Sequence, residues 1–135
     1  MRTITKGDKP YLFEDGFLST GFRFPESYLH LVQKELPDIE PWGWLASYKE
    51  LSISWMKILQ EQFPYRTLIP FAKFGGSDDI ACFDGTDTSG DPKVLFIHTF
   101  CSPGWEDRGT VDNFDGWLKG ITEESRQFKL EREED

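Results

Sequence analysis

An aspartate-rich stretch, residues 78–91, is the first feature whose residue types could do chemistry. Its aspartates are Asp78, Asp79, Asp84, Asp87 and Asp91. A calcium loop of the EF-hand type needs glutamate at its twelfth position. The chain has Leu95 or His98 at that position, depending on which aspartate begins the loop. Asp, Gly, Ser and Thr are also the residues that tight turns prefer. We therefore interpret the stretch as a turn rather than a metal loop.

Cys82, His98 and Cys101 are the second set with chemical potential. Structural zinc takes four ligands, usually from paired knuckles, and this chain offers one short pair. His98 and Cys101 stand at odd spacing, so a strand would point them to opposite faces. A local Cys–His pair is not the usual presentation of a catalytic dyad. We interpret both cysteines as buried free thiols, and we expect no metal.

No phosphate-binding or hydrolase motif accompanies these residues. Gly75-Gly76-Ser77 lacks the lysine of a P-loop and is followed by two aspartates, which would repel phosphate. The chain has no Gly-x-Ser-x-Gly elbow. We expect no catalytic residues and no cofactor.

Three helices and a group of strands must position these residues. The spacing predicts helices after Pro25, after Ser47 (a capping box with Glu50) and after Asn113, which is a good N-cap. Short apolar runs predict strands over residues 66–72, 80–84 and 93–99, with a fourth near residues 105–111. The turns between them favour antiparallel pairing. The order predicts an α+β domain: a central antiparallel sheet of about four or more strands, with helices packed on one face.

The length of 135 residues fits one domain. We place it at residues 1–121, followed by a charged C-terminal tail or helix end at residues 122–135. The N-terminal sequence MRTITKGDKP has no apolar core of a secretory signal, and no apolar run has the length of a membrane span. With only two cysteines, these features predict a cytoplasmic protein.

Negative charge is concentrated in the second half of the chain. Residues 1–77 contain nine acids and nine bases, whereas residues 78–135 contain fifteen acids and six bases, which accounts for the whole net charge of −9. Such a half repels phosphate groups, which argues against nucleic-acid and anionic-membrane binding. It attracts basic proteins.

The chain resembles the SMI1/KNR4, or SUKH, superfamily. The matching segments follow one another in the family's order: Leu18-Ser-Thr-Gly21-Phe22 with Pro25 and Tyr28; Leu68-Ile69-Pro70-Phe71-Ala72; Gly75-Gly76-Ser77-Asp78 with Ile80-Ala81-Cys82-Phe83-Asp84; Pro92-Lys93-Val94 through His98; and Val111-Asp112-Asn113-Phe114-Asp115-Gly116-Trp117-Leu118. The chain departs from the family at residues 36–41, where an Asn-Gly-Gly turn is usual, and in the longer segment 42–63.

The resemblance implies a non-enzymatic α+β domain. Many bacterial members look like immunity proteins that bind and neutralise a toxin domain, often a nuclease or deaminase, of a polymorphic or contact-dependent system. Nuclease toxins tend to be basic, which suits an acidic inhibitor. Other members are regulatory scaffolds, and that reading stays open. A third reading is an enzyme, or a small-ligand binder that uses a pocket near Trp42, Trp44 and His98.

Acidic residues and one tryptophan are the predicted contacts with a basic protein partner. Trp105 lies in a connector rich in glycine and proline, where an exposed aromatic would serve as an anchor, although such a ring also caps a core beneath a loop. The predicted contact residues are Asp78, Asp79, Asp87, Asp91, Trp105, Glu106 and Asp107.

Overall fold

The computed structural model describes residues 10–134. The expectation that the first residues are not a secretory signal concerns a segment outside this range. The chain forms three α-helices and five β-strands, with short 3-10 turns at Asp15–Phe17 and Leu45–Ser47. In chain order the elements are α1 (Glu26–Gln33), β1 (Trp42–Trp44), α2 (Lys49–Gln62), β2 (Leu68–Phe74), β3 (Asp79–Asp84), β4 (Val94–His98), β5 (Asp107–Val111) and α3 (Phe114–Glu134).

The strands form one antiparallel sheet in the order β1-β2-β3-β4-β5. Each strand pairs with its neighbour in the chain, as turn-connected strands do. The predicted α+β class and central antiparallel sheet are confirmed. The sequence did not predict β1, because Trp42, Gly43 and Trp44 follow Pro41 in a segment that resembles a connector rich in aromatics. The paired run is only three residues long, too short to show an alternating pattern.

Helices cover both faces of the sheet, which corrects the expectation that they share one. Along β3, Ala81 and Phe83 pack in the core cluster that includes residues of α1 and α3. Ile80 and Cys82 point the other way and pack in a second cluster with α2. The physical reason lies in β3 itself, since its four central residues, 80–83, are all apolar and buried and so need cover on both sides.

Aromatic rings fill the core between the sheet and helices α1 and α3. The rings of Phe71 and Phe83 stack with centroids 4.2 Å apart. Tyr28 from α1 lies 5.2 Å from Phe83, and Trp117 from α3 lies 4.8 Å from Phe71. This packing fixes the sheet whose ends carry the candidate site.

Of the three predicted helix starts, the first is confirmed by α1, which begins directly after Pro25, and the two with a predicted side-chain cap have opposite outcomes. The Asn113 side chain accepts a hydrogen bond from the Gly116 backbone N–H at 2.9 Å, which confirms the cap of α3. The capping box at Ser47 is wrong, because Ser47 lies in the 3-10 turn and Tyr48 is the N-cap of α2. Because the 3-10 turn extends to Ser47, α2 begins one residue later than the capping box predicts.

The remaining expectations concern the cysteines and the last residues. Both cysteines are free; Cys82 is buried, as expected, whereas Cys101 is only partly buried and lies in the β4–β5 loop rather than inside a strand. The charged stretch after residue 121 continues α3 to Glu134. Across residues 10–134, none of the helices combines the length and the apolar character of a membrane span.

Candidate functional site: an aromatic surface at one end of the sheet

The aspartates of the β3–β4 turn hold the backbone of that turn. Asp84 Oδ1 accepts hydrogen bonds from the Thr86 backbone N–H and hydroxyl, at 2.9 and 2.7 Å. Asp87 accepts bonds from the backbone N–H groups of Ser89 and Lys93, at 3.0 and 3.1 Å. Bonds from the Ser89 hydroxyl and backbone, together with Lys93, hold the pKa of Asp87 below its usual range. These contacts are the predicted turn chemistry.

The sheet separates the predicted contact residues into two groups. Asp87 and Asp91 lie in the turn after β3 ends, where both oxygens of Asp87 are occupied and Asp91 accepts a bond from Asn113. Asp78, Asp79 and Asp107 lie at the opposite end, where β3 begins, β4 ends and β5 begins. Trp105 and Glu106 belong to this second end. One compact contact surface therefore excludes Asp87 and Asp91.

Trp105 is presented by a tight turn in the loop between β4 and β5. The backbone N–H of Trp105 donates to the carbonyl of Ser102 at 3.1 Å. Pro103 takes the second position, and Gly104 has φ +93° at the third, which is the signature of a type II turn. The indole is 70% exposed. The sequence Ser-Pro-Gly-Trp thus places an exposed aromatic on a backbone of low freedom.

Glu106 is buried, so it leaves the predicted contact set. Only 1% of the residue is exposed. Its carboxylate accepts hydrogen bonds from Arg66 Nε at 2.8 Å, from the Tyr65 hydroxyl at 3.0 Å and from the Gly104 N–H at 2.8 Å. Burial alone would raise the pKa of Glu106, but these bonds and its own backbone N–H lower it to about 2. The carboxylate ties the β4–β5 loop to the loop between α2 and β2.

Three large aromatic side chains are exposed on these two tied loops. Phe100 and Tyr65 are each 62% exposed, beside the 70% of Trp105. We call Tyr65, Phe100 and Trp105 the aromatic surface. The sequence indicated only Trp105, because Phe100 directly follows the apolar run predicted as a strand over residues 93–99 and has no turn signal of its own. The position of Tyr65 just after Pro64, which ends α2, was the available signal for the second ring.

Phe100 occupies the left-handed region of backbone space, with φ +58°. A bulky residue there is a true outlier that the surroundings must enforce. The Gln62 side chain accepts a bond from the Phe100 N–H at 2.8 Å. The preceding residue, Thr99, donates its N–H and its hydroxyl to the carbonyl of Asp78, at 2.9 and 2.8 Å. The chain therefore maintains a strained backbone at a residue whose ring faces solvent.

Replacing Phe100 with glycine is expected to raise the free energy of unfolding by about 0.5–1 kcal/mol. Glycine adopts the left-handed conformation without the steric cost that phenylalanine has there, but its more flexible unfolded chain offsets part of this gain. Urea denaturation monitored by circular dichroism measures it. Phe100→Ala is the matched control, since it removes the ring and keeps the penalty. Equal stabilities of the glycine and alanine variants would show that the position is not strained.

The ligand and zinc arrangements considered for this chain do not assemble. A cavity of about 610 Å³ is lined by Trp42 and Trp44, but His98 is not part of its wall. His98 Nδ1 instead lies 2.8 Å from Asp79 Oδ1. Cys82 is on the α2 face, where burial raises the pKa of its thiol. Among residues 10–134, no three His, Cys, Asp or Glu side chains converge as metal ligands.

Comparison of the chain with protein-family models, with curated proteins and with solved structures found no match. The chemistry of the site therefore rests on its own geometry: exposed rings on two loops tied by a buried carboxylate, with Asp78 and Asp107 exposed at the same end of the sheet.

Proposed function

We propose that this chain is a non-catalytic protein-binding domain that contacts its partner through the end of the sheet carrying Trp105. The observation that carries the proposal is a 70% exposed tryptophan on a tight turn, fixed from beneath by Glu106. Large aromatic side chains whose backbone is already fixed before binding are the usual anchors of protein interfaces, because little further conformational entropy is lost when the partner binds.

The charge of the surroundings supports a basic partner. The acidic residues of the second half include Asp78 and Asp107, both exposed at this end of the sheet. Opposite charge speeds the encounter of two proteins and selects against acidic partners. The same charge disfavours nucleic acid, whose phosphates it would repel.

We further propose that the partner is a toxin domain, so that the chain acts as an immunity protein inside the producing cell. The support is the resemblance of residues 18–118 to the SMI1/KNR4 superfamily, together with the acidic charge that a basic nuclease or similar toxin would meet. Covering the active site of a toxin requires no catalytic residue in the inhibitor, only an interface of adequate size.

Photo-crosslinking from position 105 tests the proposal. We expect p-benzoylphenylalanine at Trp105 to capture a basic polypeptide from lysate of the source organism, in a yield that falls as salt rises. The same probe at Thr122, an exposed residue of α3, is the matched control. Identical products from both positions would contradict the assigned surface. A position-specific signalling protein in place of a toxin would move the function to the regulatory scaffold.

A further inference from the structure

We propose that the aromatic surface recognises arginine side chains of a basic polypeptide, with guanidinium groups stacked on Phe100 and Trp105 and paired with the carboxylates of Asp78 and Asp107. This inference rests on the proposed function and names the chemistry of the same site. It adds Phe100, which the charge pattern alone does not indicate.

Phe100 and Trp105 each stand near an aspartate in the chain or in its backbone pairing. The Asp78 backbone carbonyl accepts two bonds from Thr99, so Asp78 lies beside the residue that precedes Phe100. Asp107 follows Glu106 and is two residues beyond Trp105. This placement suits a cation that is held over an aromatic face by a carboxylate.

The carboxylates differ in how free they are to bind a partner. Asp79 is engaged by His98 and by the Ser77 hydroxyl, at 2.8 and 3.0 Å. Asp107 spends one oxygen on the Gly109 N–H at 3.0 Å and keeps the other. Within the described residues, the Asp78 side chain makes no hydrogen bond or ion pair. Asp78 is thus fully available to a cation, and Asp107 is available through its second oxygen, although Asp107 is near enough to Arg66 to help raise the pKa of that guanidinium.

The cation of the chain at this end of the sheet is already engaged. Arg66 gives its Nε to the buried Glu106, and its guanidinium lies 5.9 Å from the centre of the Tyr65 ring. Among the described residues, no cation lies over Phe100 or Trp105. Arg108, the next residue on β5, is exposed and makes no ion pair or ring contact with the described residues. A second copy of the chain is also a poor occupant, because two molecules of net charge −9 repel one another. The complementary occupant is a basic segment of another protein.

Guanidinium fits this surface better than ammonium. The arginine group is planar and weakly hydrated, stacks on aromatic faces and binds carboxylate with two parallel hydrogen bonds. A lysine ammonium is a strongly hydrated point charge and gains less from the rings. The strained backbone at Phe100 fits the same purpose, since the ring makes an edge contact with Trp55 at 6.3 Å while the residue stays 62% exposed. Strain of this kind is typical of binding positions.

Titration of the full chain with nona-arginine and with nona-lysine tests the inference at about 0.15 M salt, where long-range charge effects are screened. Backbone amide NMR shifts report the position and the dissociation constant. We expect nona-arginine to bind about threefold to fivefold more tightly, with shifts concentrated in residues 99–107. Phe100→Leu and Trp105→Leu, which keep an apolar side chain without the ring, should each weaken nona-arginine binding by about the same factor.

Leu130→Ala, at an exposed apolar residue of α3, is the control and should leave the dissociation constant unchanged. Equal binding of the two peptides, or variants that bind like the wild type, would overturn the arginine assignment. Shifts centred on the acidic residues of α3 would overturn it as well. If the peptide titration fails in one of these ways but the crosslinker at position 105 still captures a protein, the proposed protein-binding function stands. If nona-arginine binds through the rings but the crosslinker captures no protein, the proposed function fails and the arginine assignment stands.

Discussion

The Phe83→Ala variant is expected to lose about 3–5 kcal/mol of unfolding free energy, as large-to-small changes in aromatic cores do. Phe83 is fully buried at the centre of the sheet. Its ring stacks on Phe71 at 4.2 Å and also meets Tyr28 and Phe114 at 5.2 and 6.0 Å. Since the sheet, α1 and α3 all contribute to this packing, they cannot close together over the missing ring. Urea unfolding followed by circular dichroism gives the free energy.

Phe96→Ala is the matched control for that loss. Phe96 lies on the neighbouring strand and is only partly buried, with one ring contact to Trp42 at 5.9 Å. Its removal should cost clearly less than the removal of Phe83, because part of its surface is already in water. Equal losses in the two variants would mean that the core is not centred on Phe83. Domains of this size have about 5–15 kcal/mol in total, so the Phe83 variant should be near the limit of folding.

The sequence predicted those parts of the fold that follow from local pattern. Apolar runs separated by turn residues located β2, β3 and β4, and Asn113 located the start of α3. The sequence did not predict which face α2 covers. That choice depends on the unbroken apolar run of β3, whose two faces need cover from elements distant in sequence. β1 was missed for a related reason, because its pairing with β2 is a tertiary contact.

The candidate site was predicted only in part, and the physical reason is visible at two residues. Charge type suggested an exposed contact at Glu106, but its burial is decided by Arg66, Tyr65 and the Gly104 N–H, two of which lie on another loop. Phe100 carries no local signal at all, since no pattern predicts a phenylalanine in the left-handed region. Trp105 was recognisable because Ser-Pro-Gly encodes its turn locally.

Glu106→Gln is expected to cost about 2 kcal/mol of stability at pH 7 and to loosen the aromatic surface. The carboxylate accepts one charge-assisted bond from Arg66 and two further bonds, and such bonds to charged groups contribute about 1.5–3 kcal/mol. A glutamine amide keeps an acceptor for Gly104 but turns an N–H₂ donor toward the guanidinium. Arg66 is 29% exposed, so water compensates for part of the loss.

The pH dependence of the unfolding free energy tests whether the ionised Glu106 carboxylate causes this stabilisation. The pKa of Glu106 is about 2 in the folded chain against an ordinary value of 4.5, so the unfolded state takes up the proton first as pH falls. The stabilisation from Glu106 is therefore complete above about pH 4.5 and is lost as pH falls toward 2. Urea unfolding at a series of pH values should show the wild type and the glutamine variant far apart at pH 7 and converging below pH 4.

Hydrogen exchange at the Gly104 amide tests whether Glu106 also holds the loop that carries Trp105, apart from its effect on overall stability. In the wild type this N–H is bonded to the buried carboxylate, so its hydrogen exchange should be slow for a loop residue. Asp107→Asn, which changes a neighbouring exposed carboxylate, should leave that exchange unchanged. If the difference in unfolding free energy between the wild type and Glu106→Gln stayed constant from pH 7 to pH 3, the charge of Glu106 would not be its cause. If that difference closes and Gly104 exchange quickens in the variant alone, the chain fixes the position of Trp105 through a buried negative charge, before any partner arrives.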